Sequence, residues 1–125
     1  MAIPSEQLQA MHGLAADWDG YGAAAPQANA IDLAQEFVGL IEAMLLHAGT
    51  PPGVLHVSPT RVGGVLIDWE DRGRQHEIEI DPDGSVGFLH LDKATGQIET
   101  RKFSPVATGV VQPGFLQELR QALAA

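Results

Sequence analysis

Four carboxylates and three rings alternate along one stretch of this chain. In GGVLIDWEDRGRQHEIEIDPDGSVGFLH (residues 63–90), Asp68 and Glu70, then Glu77 and Glu79, recur at every second position. Trp69, His76 and His90 fall on the intervening phase. Clustered carboxylates suit a hard divalent cation or a basic protein surface. Paired imidazoles suit a metal or a switch that titrates near neutrality. The carboxylates lack the spacing of an EF-hand loop and the accompanying lysine of a typical carboxylate nuclease site, so a basic protein partner is the better reading. The two histidines have no third ligand in phase with them, and His12, His47 and His56 show no ligand spacing. No metal and no cofactor is expected. The serines, Ser5, Ser58, Ser85 and Ser104, stand in no G-x-S-x-G elbow. RVGG and GYG are followed by no GK[ST] and open no helix, so neither is a phosphate loop. No catalytic residue is assigned, and the chain leans away from an enzyme.

A third candidate is GLAADWDGYGAAAP (13–26). Asp17 and Asp19 can accept from nearby backbone amides, and Gly20 and Gly22 permit positive φ. Trp18 and Tyr21 are expected to turn inward and plug one end of the core. The competing reading has them presented to a ligand.

Which phase of the 63–90 stretch faces the core is a matter of register. DPDG (Asp81–Gly84) reads as a type I turn with a G1 bulge, closing Asp81 opposite Ser85. Ile80 then faces Val86, Ile78 faces Phe88 and His76 faces His90. The preceding turn, EDRGRQ, sets Trp69 opposite His76, Ile67 opposite Ile78 and Val65 opposite Ile80. Both hairpins place Val65, Ile67, Trp69, His76, Ile78, Ile80, Val86, Phe88 and His90 on the core face. Asp68 then opposes Glu77 on the outer face, Glu70 opposes Gln75, and Leu66 opposes Glu79. Like charges opposed across a ladder are destabilising. Such a face is either bathed in solvent or used, and Arg72 and Arg74 at the hairpin tip would partly neutralise it.

The elements around these hairpins follow from periodicity. A first helix should run from an N-cap at Ser5 to about Ala16, with Leu8, Met11 and Ala15 on one face. A second should run from about Gln27 to Ala48, its wide apolar stripe (Ile31, Leu33, Ala34, Phe37, Val38, Leu40, Ile41, Met44, Leu45) facing a sheet and another helix at once. Alternation after Pro52 predicts strands near 54–58, 64–70, 75–81, 85–91 and 97–103. QPGFLQELRQALAA (112–125) predicts a short amphipathic helix using Phe115, Leu116, Leu119 and Leu123. The order implies an α+β fold: two N-terminal helices, an antiparallel meander of four to five strands, and a short C-terminal helix.

Length and charge bound the rest. The chain has 125 residues, enough for one domain, 1–125. It has no cysteine, which removes disulfides and thiolate sites and suits the cytoplasm. The first ten residues have neither the basic start nor the apolar core of a secretory signal, and no apolar run reaches spanning length. Seven Lys and Arg stand against sixteen Asp and Glu, a net charge of −9. Direct binding to nucleic acid needs clustered cations and is not expected, nor is membrane binding.

DWDGYGAAAP followed by a long amphipathic helix, GGVLIDWE, and HEIEIDPDGSVGFL together resemble a group of small bacterial proteins. Those share W-D-G-Y-G-A, then G-G-hydrophobic-x-hydrophobic-x-W, then an acidic strand ending in D-G. The resemblance covers roughly residues 13–91. It implies the α+β order and carries no activity and no site residues.

These observations predict a small acidic interaction or regulatory protein that engages a basic partner through Asp68, Glu70, Glu77 and Glu79 and could neutralise it there. One alternative is a ligand- or metal-binding protein or enzyme built on Trp69, His76 and His90, with Trp18 and Tyr21 near the pocket. The other is a homodimer formed through a sheet edge or the C-terminal helix.

Overall fold

The computed structural model describes residues 4–47, 49, 55–71, 73–103, 117 and 121. Two helices, α1 (Pro4–Met11) and α2 (Ala28–His47), precede five strands. These are β1 (His56–Pro59), β2 (Val65–Asp71), β3 (Arg74–Ile80), β4 (Val86–Asp92) and β5 (Ile98–Phe103). The strands lie side by side in chain order, each antiparallel to the next. The fold is α+β. The expected C-terminal helix on Phe115, Leu116, Leu119 and Leu123 lies outside the described residues, as does Arg72.

Turn chemistry produces the register read from the sequence. The Asp81 N–H donates to the Ser85 carbonyl (2.9 Å), the Gly84 N–H to the Asp81 carbonyl (2.9 Å), and Gly84 takes φ +87°. Ile80 pairs with Val86, Ile78 with Phe88 and His76 with His90. On the other side, Asp71 pairs with Arg74 across a two-residue loop in which Gly73 takes φ +78°. Trp69 then meets His76, and Ile67 meets Ile78.

The inner face of this sheet and the helices bury one another. Val65, Ile67, Trp69, Ile78, Ile80 and Val86 are fully buried, with Ile31, Phe37, Ile41 and Leu45 of α2 in the same core cluster. α2 lies against β2 and β3, and α1 against β1 and α2. Among the described residues no helix is long and apolar enough to cross a membrane.

α1 is shorter than the spacing suggests. Pro4 and Ser5 both lie within the described helix, so Ser5 is not its N-cap. It stops at Met11, after which His12, Gly13 and Leu14 donate to carbonyls three residues back and tighten the chain. Leu14 still packs on the core.

One glycine is required by close approach. Gly64 enters β2 with its backbone against β3, and a Cβ there would sit 2.2 Å from the Ile80 carbonyl oxygen. Its N–H donates to Thr60 Oγ1 (2.9 Å), which closes the turn before the strand. G64A should therefore force β2 and β3 apart and destabilise the protein by roughly 2–4 kcal/mol. G39A, in open space on α2, should be neutral or slightly stabilising. Urea denaturation of the two variants checks the contrast.

Candidate functional site

Alternation along β2, β3 and β4 gives the sheet two chemically different faces. On the outer face Asp68 sits between His56 and Glu77, and Leu66 between Ser58 and Glu79. Across β4 the same rows continue to Leu89 and Thr100, and to Gly87 and Lys102. All four expected carboxylates are therefore on one face. Glu70 and Glu79 are exposed, and Asp68 and Glu77 half-buried.

This face holds a groove with a volume of about 340 Å³. Its acidic side is Glu77, Glu79 and Asp81, its floor includes Leu66, Gly87 and Leu89, and its far side carries Thr100, Arg101 and Lys102. Gly87 creates the depression, because it leaves the row between Glu79 and Lys102 without a side chain. A glycine in the middle of an apolar strand is a legible sign of such a gap. The basic side depends on the β4–β5 register, which the turn DKATGQ does not specify.

Arg74, expected to help neutralise this face, stands in the register of the opposite one. Arg74 is in phase with His76 and Ile78, so its side chain belongs to the inner face, beside Asp71. Lys93, from the β4–β5 turn, takes the role instead, with Nζ 2.8 Å from Glu70 Oε2. The pair is half-exposed on both sides and contributes at most about 1 kcal/mol.

The ring row lies at the edge of the core. Trp69 stacks on His76 with centroids 5.0 Å apart, and His76 meets His90 at 4.7 Å. Phe88 closes on His76 from below at 6.2 Å. The two Nδ1 atoms of His76 and His90 are 3.1 Å apart, so one imidazole donates an N–H to the lone pair of the other. His76 is buried and His90 half-buried. Burial first, then the neighbouring His90, lower the His76 pKa from 6.5 to about 4; Arg74 adds to the shift and Asp71 opposes it. Glu99 follows His90 in the same row on β5. Among the described residues no group of three or more His, Asp or Glu is placed to hold a metal. Trp69 Nε1 and Arg74 Nη1 are buried without a hydrogen-bond partner among the described residues.

The DWDGYG loop departs from expectation. Tyr21 does not plug the core; it is 81% exposed. Trp18 is half-buried, and its indole N–H donates to the Ala24 carbonyl (2.9 Å). The carboxylates do cap the turn, as read from the sequence. The Gly22 N–H donates to Asp17 Oδ1 (2.7 Å), and the Tyr21 and Ala23 N–H groups donate to Asp19 Oδ1 (2.8 and 3.1 Å). Gly20 and Gly22 take φ +76° and +81°, and Asp17 itself takes +63°. A distant residue also clamps this loop. Arg61 Nε donates to Asp19 Oδ2 (3.0 Å), and Arg61 Nη2 donates to the Tyr21 carbonyl. Ala24 also bridges to Val62. The bond from the Tyr21 N–H, followed by those from Ala23 and Arg61, holds the Asp19 pKa below the ordinary carboxylate range against partial desolvation. Nothing local announces Arg61, which is forty-two residues from Asp19.

Comparison with protein-family models, curated proteins and solved structures finds no match to this chain.

Two tests follow from this geometry. Folded His76 stays neutral where an unfolded histidine takes up a proton, so its stabilising effect is complete above about pH 6.5 and is lost as pH falls towards 4. The loss should amount to roughly 3 kcal/mol, and H76F should flatten it. Equal pH slopes for the two proteins in urea denaturation would assign the dependence elsewhere. In the loop, D19A should lower the melting temperature by freeing three donors, while Y21A should leave it close to wild type. Thermal unfolding of both variants distinguishes an anchored turn from a core plug.

Proposed function

We propose that the protein is a small, cytoplasmic, non-enzymatic interaction protein that binds a basic partner on the outer face of its sheet. The observation that carries this reading is the groove on a face over which no described helix packs. It combines an acidic wall, Glu77, Glu79 and Asp81, with an apolar floor of Leu66 and Leu89. A lysine or arginine of the partner would lie along the carboxylates, while its aliphatic stem and an apolar neighbour cover the floor. Lys102 on the opposite wall favours a partner segment that carries an acidic residue next to its basic ones.

The net charge of −9 supports the same reading over longer range. An acidic protein attracts a basic one before contact, which raises the association rate and makes binding sensitive to salt. Asp68 and Glu77 stand opposite each other in the ladder. Their mutual repulsion is relieved when a cation arrives, so binding recovers energy that the free fold forgoes.

The ring row fits a ligand site less well. Trp69, His76 and Phe88 are packed ring against ring and almost fully buried.

Charge reversal on the acidic wall tests the proposal. E77K/E79K should fold with unchanged circular dichroism and lose a basic partner that wild type retains from host lysate at low salt and releases at high salt. The expected loss is at least about a hundredfold in affinity, from two like-charge contacts in place of two attractive ones. Retention of the same partner by the double variant would remove this face from consideration.

A further inference from the structure

The two edges of the sheet are not equivalent. β1 has four residues, ends in Pro59 and is backed by α1. Those are the features that keep an edge strand from pairing. β5 has six residues and no proline, and every residue except Phe103 is exposed. Its inner side pairs with β4 from Ile98 to Phe103, and among the described residues no strand lies beyond it. Such an edge presents a row of backbone donors and acceptors to any strand that matches it.

We propose that β5 pairs with β5 of a second copy, antiparallel about a two-fold axis at Thr100, joining the two sheets into one. A two-fold axis perpendicular to the sheet keeps inner residues opposite inner ones and outer opposite outer. Glu99, Arg101 and Phe103 are in phase with the inner-facing residues of β4, and Ile98, Thr100 and Lys102 with the outer-facing ones. Centred on Thr100, the pairing sets Glu99 opposite Arg101 of the second copy, and Arg101 opposite its Glu99. Thr100 meets Thr100, a favourable cross-strand pair. Ile98, 59% exposed in the single chain, lies under the aliphatic stem of Lys102 of the second copy.

The neighbouring registers are excluded by charge. Centring on Glu99 sets two carboxylates face to face, and centring on Arg101 sets two guanidinium groups face to face. Like charges directly opposed across a ladder are destabilising. Charged residues on an edge usually repel foreign strands. Here the sequence E-T-R answers each of its own charges when it meets itself in reverse. The interface is isologous and closes at two subunits. The second edge of each sheet, β1, is short and ends in proline, so the assembly stops there.

The test uses charge complementation on the whole protein. Sedimentation velocity across a concentration series should show wild type as a dimer. E99K sets Lys against Arg101, and R101E sets Glu against Glu99, each twice per dimer. Each variant should weaken dimerisation by at least about tenfold without changing circular dichroism. Mixing E99K with R101E should restore a dimer containing one chain of each, because both contacts are then attractive. The double swap E99R/R101E should dimerise by itself. A monomeric wild type overturns the proposal. So does a dimer that neither single reversal weakens, or a mixture of the two variants that stays monomeric. Arg101 borders the outer-face groove, but E99K does not, and sedimentation reads self-association rather than capture of a basic partner, so failure here and failure of the acidic-face reading are distinguishable.

Discussion

Everything in this protein depends on the register of β2, β3 and β4. With a side-chain period of two, a slip of one residue would move Asp68, Glu70, Glu77 and Glu79 into the core and expel Ile67, Trp69, Ile78 and Ile80. Burying four carboxylates in apolar surroundings would cost far more than the few kcal/mol by which a domain of this size is stable. The two tight turns and the hydrophobic pattern thus enforce the same pairing, and neither could be satisfied with the other in a different register. Gly64 adds a local constraint, since its bare backbone lets β2 begin in contact with the Ile80 carbonyl.

Within that frame the inner face is not uniformly apolar. Trp69, His76 and His90 form a stacked row whose polar atoms are only partly satisfied. The single bond between the two Nδ1 atoms meets one donor and one acceptor. The row packs well as neutral rings and poorly with a charge added, which is why burial dominates the lowered pKa of His76. This end of the core resists protonation; it is not arranged to exploit it.

The outer surfaces carry the molecule's chemical asymmetry. The acidic wall of the groove lies on β3 and the residue that follows it, and its basic side on β5, with Gly87 opening the space between them. The clamped loop around Tyr21 stands at another part of the surface, tied to the β1–β2 connection through Arg61. Both features arise from strands or loops brought together by the meander, and both are held by residues far apart in the chain.

The local signals in this chain were sufficient for the elements and for the central register. Period-3.6 spacing defined α2, alternation defined the strands, and DPDG with its bulge set Ile78 against Phe88. Those determinants act over a few residues, through φ preferences and the sidedness of a pleat. The same alternation separated the four carboxylates from the ring row before any fold was known. Tertiary structure alone decided the rest. Tyr21 stands outward in a loop that Arg61 clamps through the Tyr21 carbonyl and Asp19. Arg74 fell on the inner face, leaving Lys93 to pair with Glu70. Glu99 came to lie beside His90, and Lys102 across from Glu79, once β5 had docked. In each case the determining partner is distant in sequence, and no local rule of spacing or turn chemistry encodes where a long side chain will find its counter-charge.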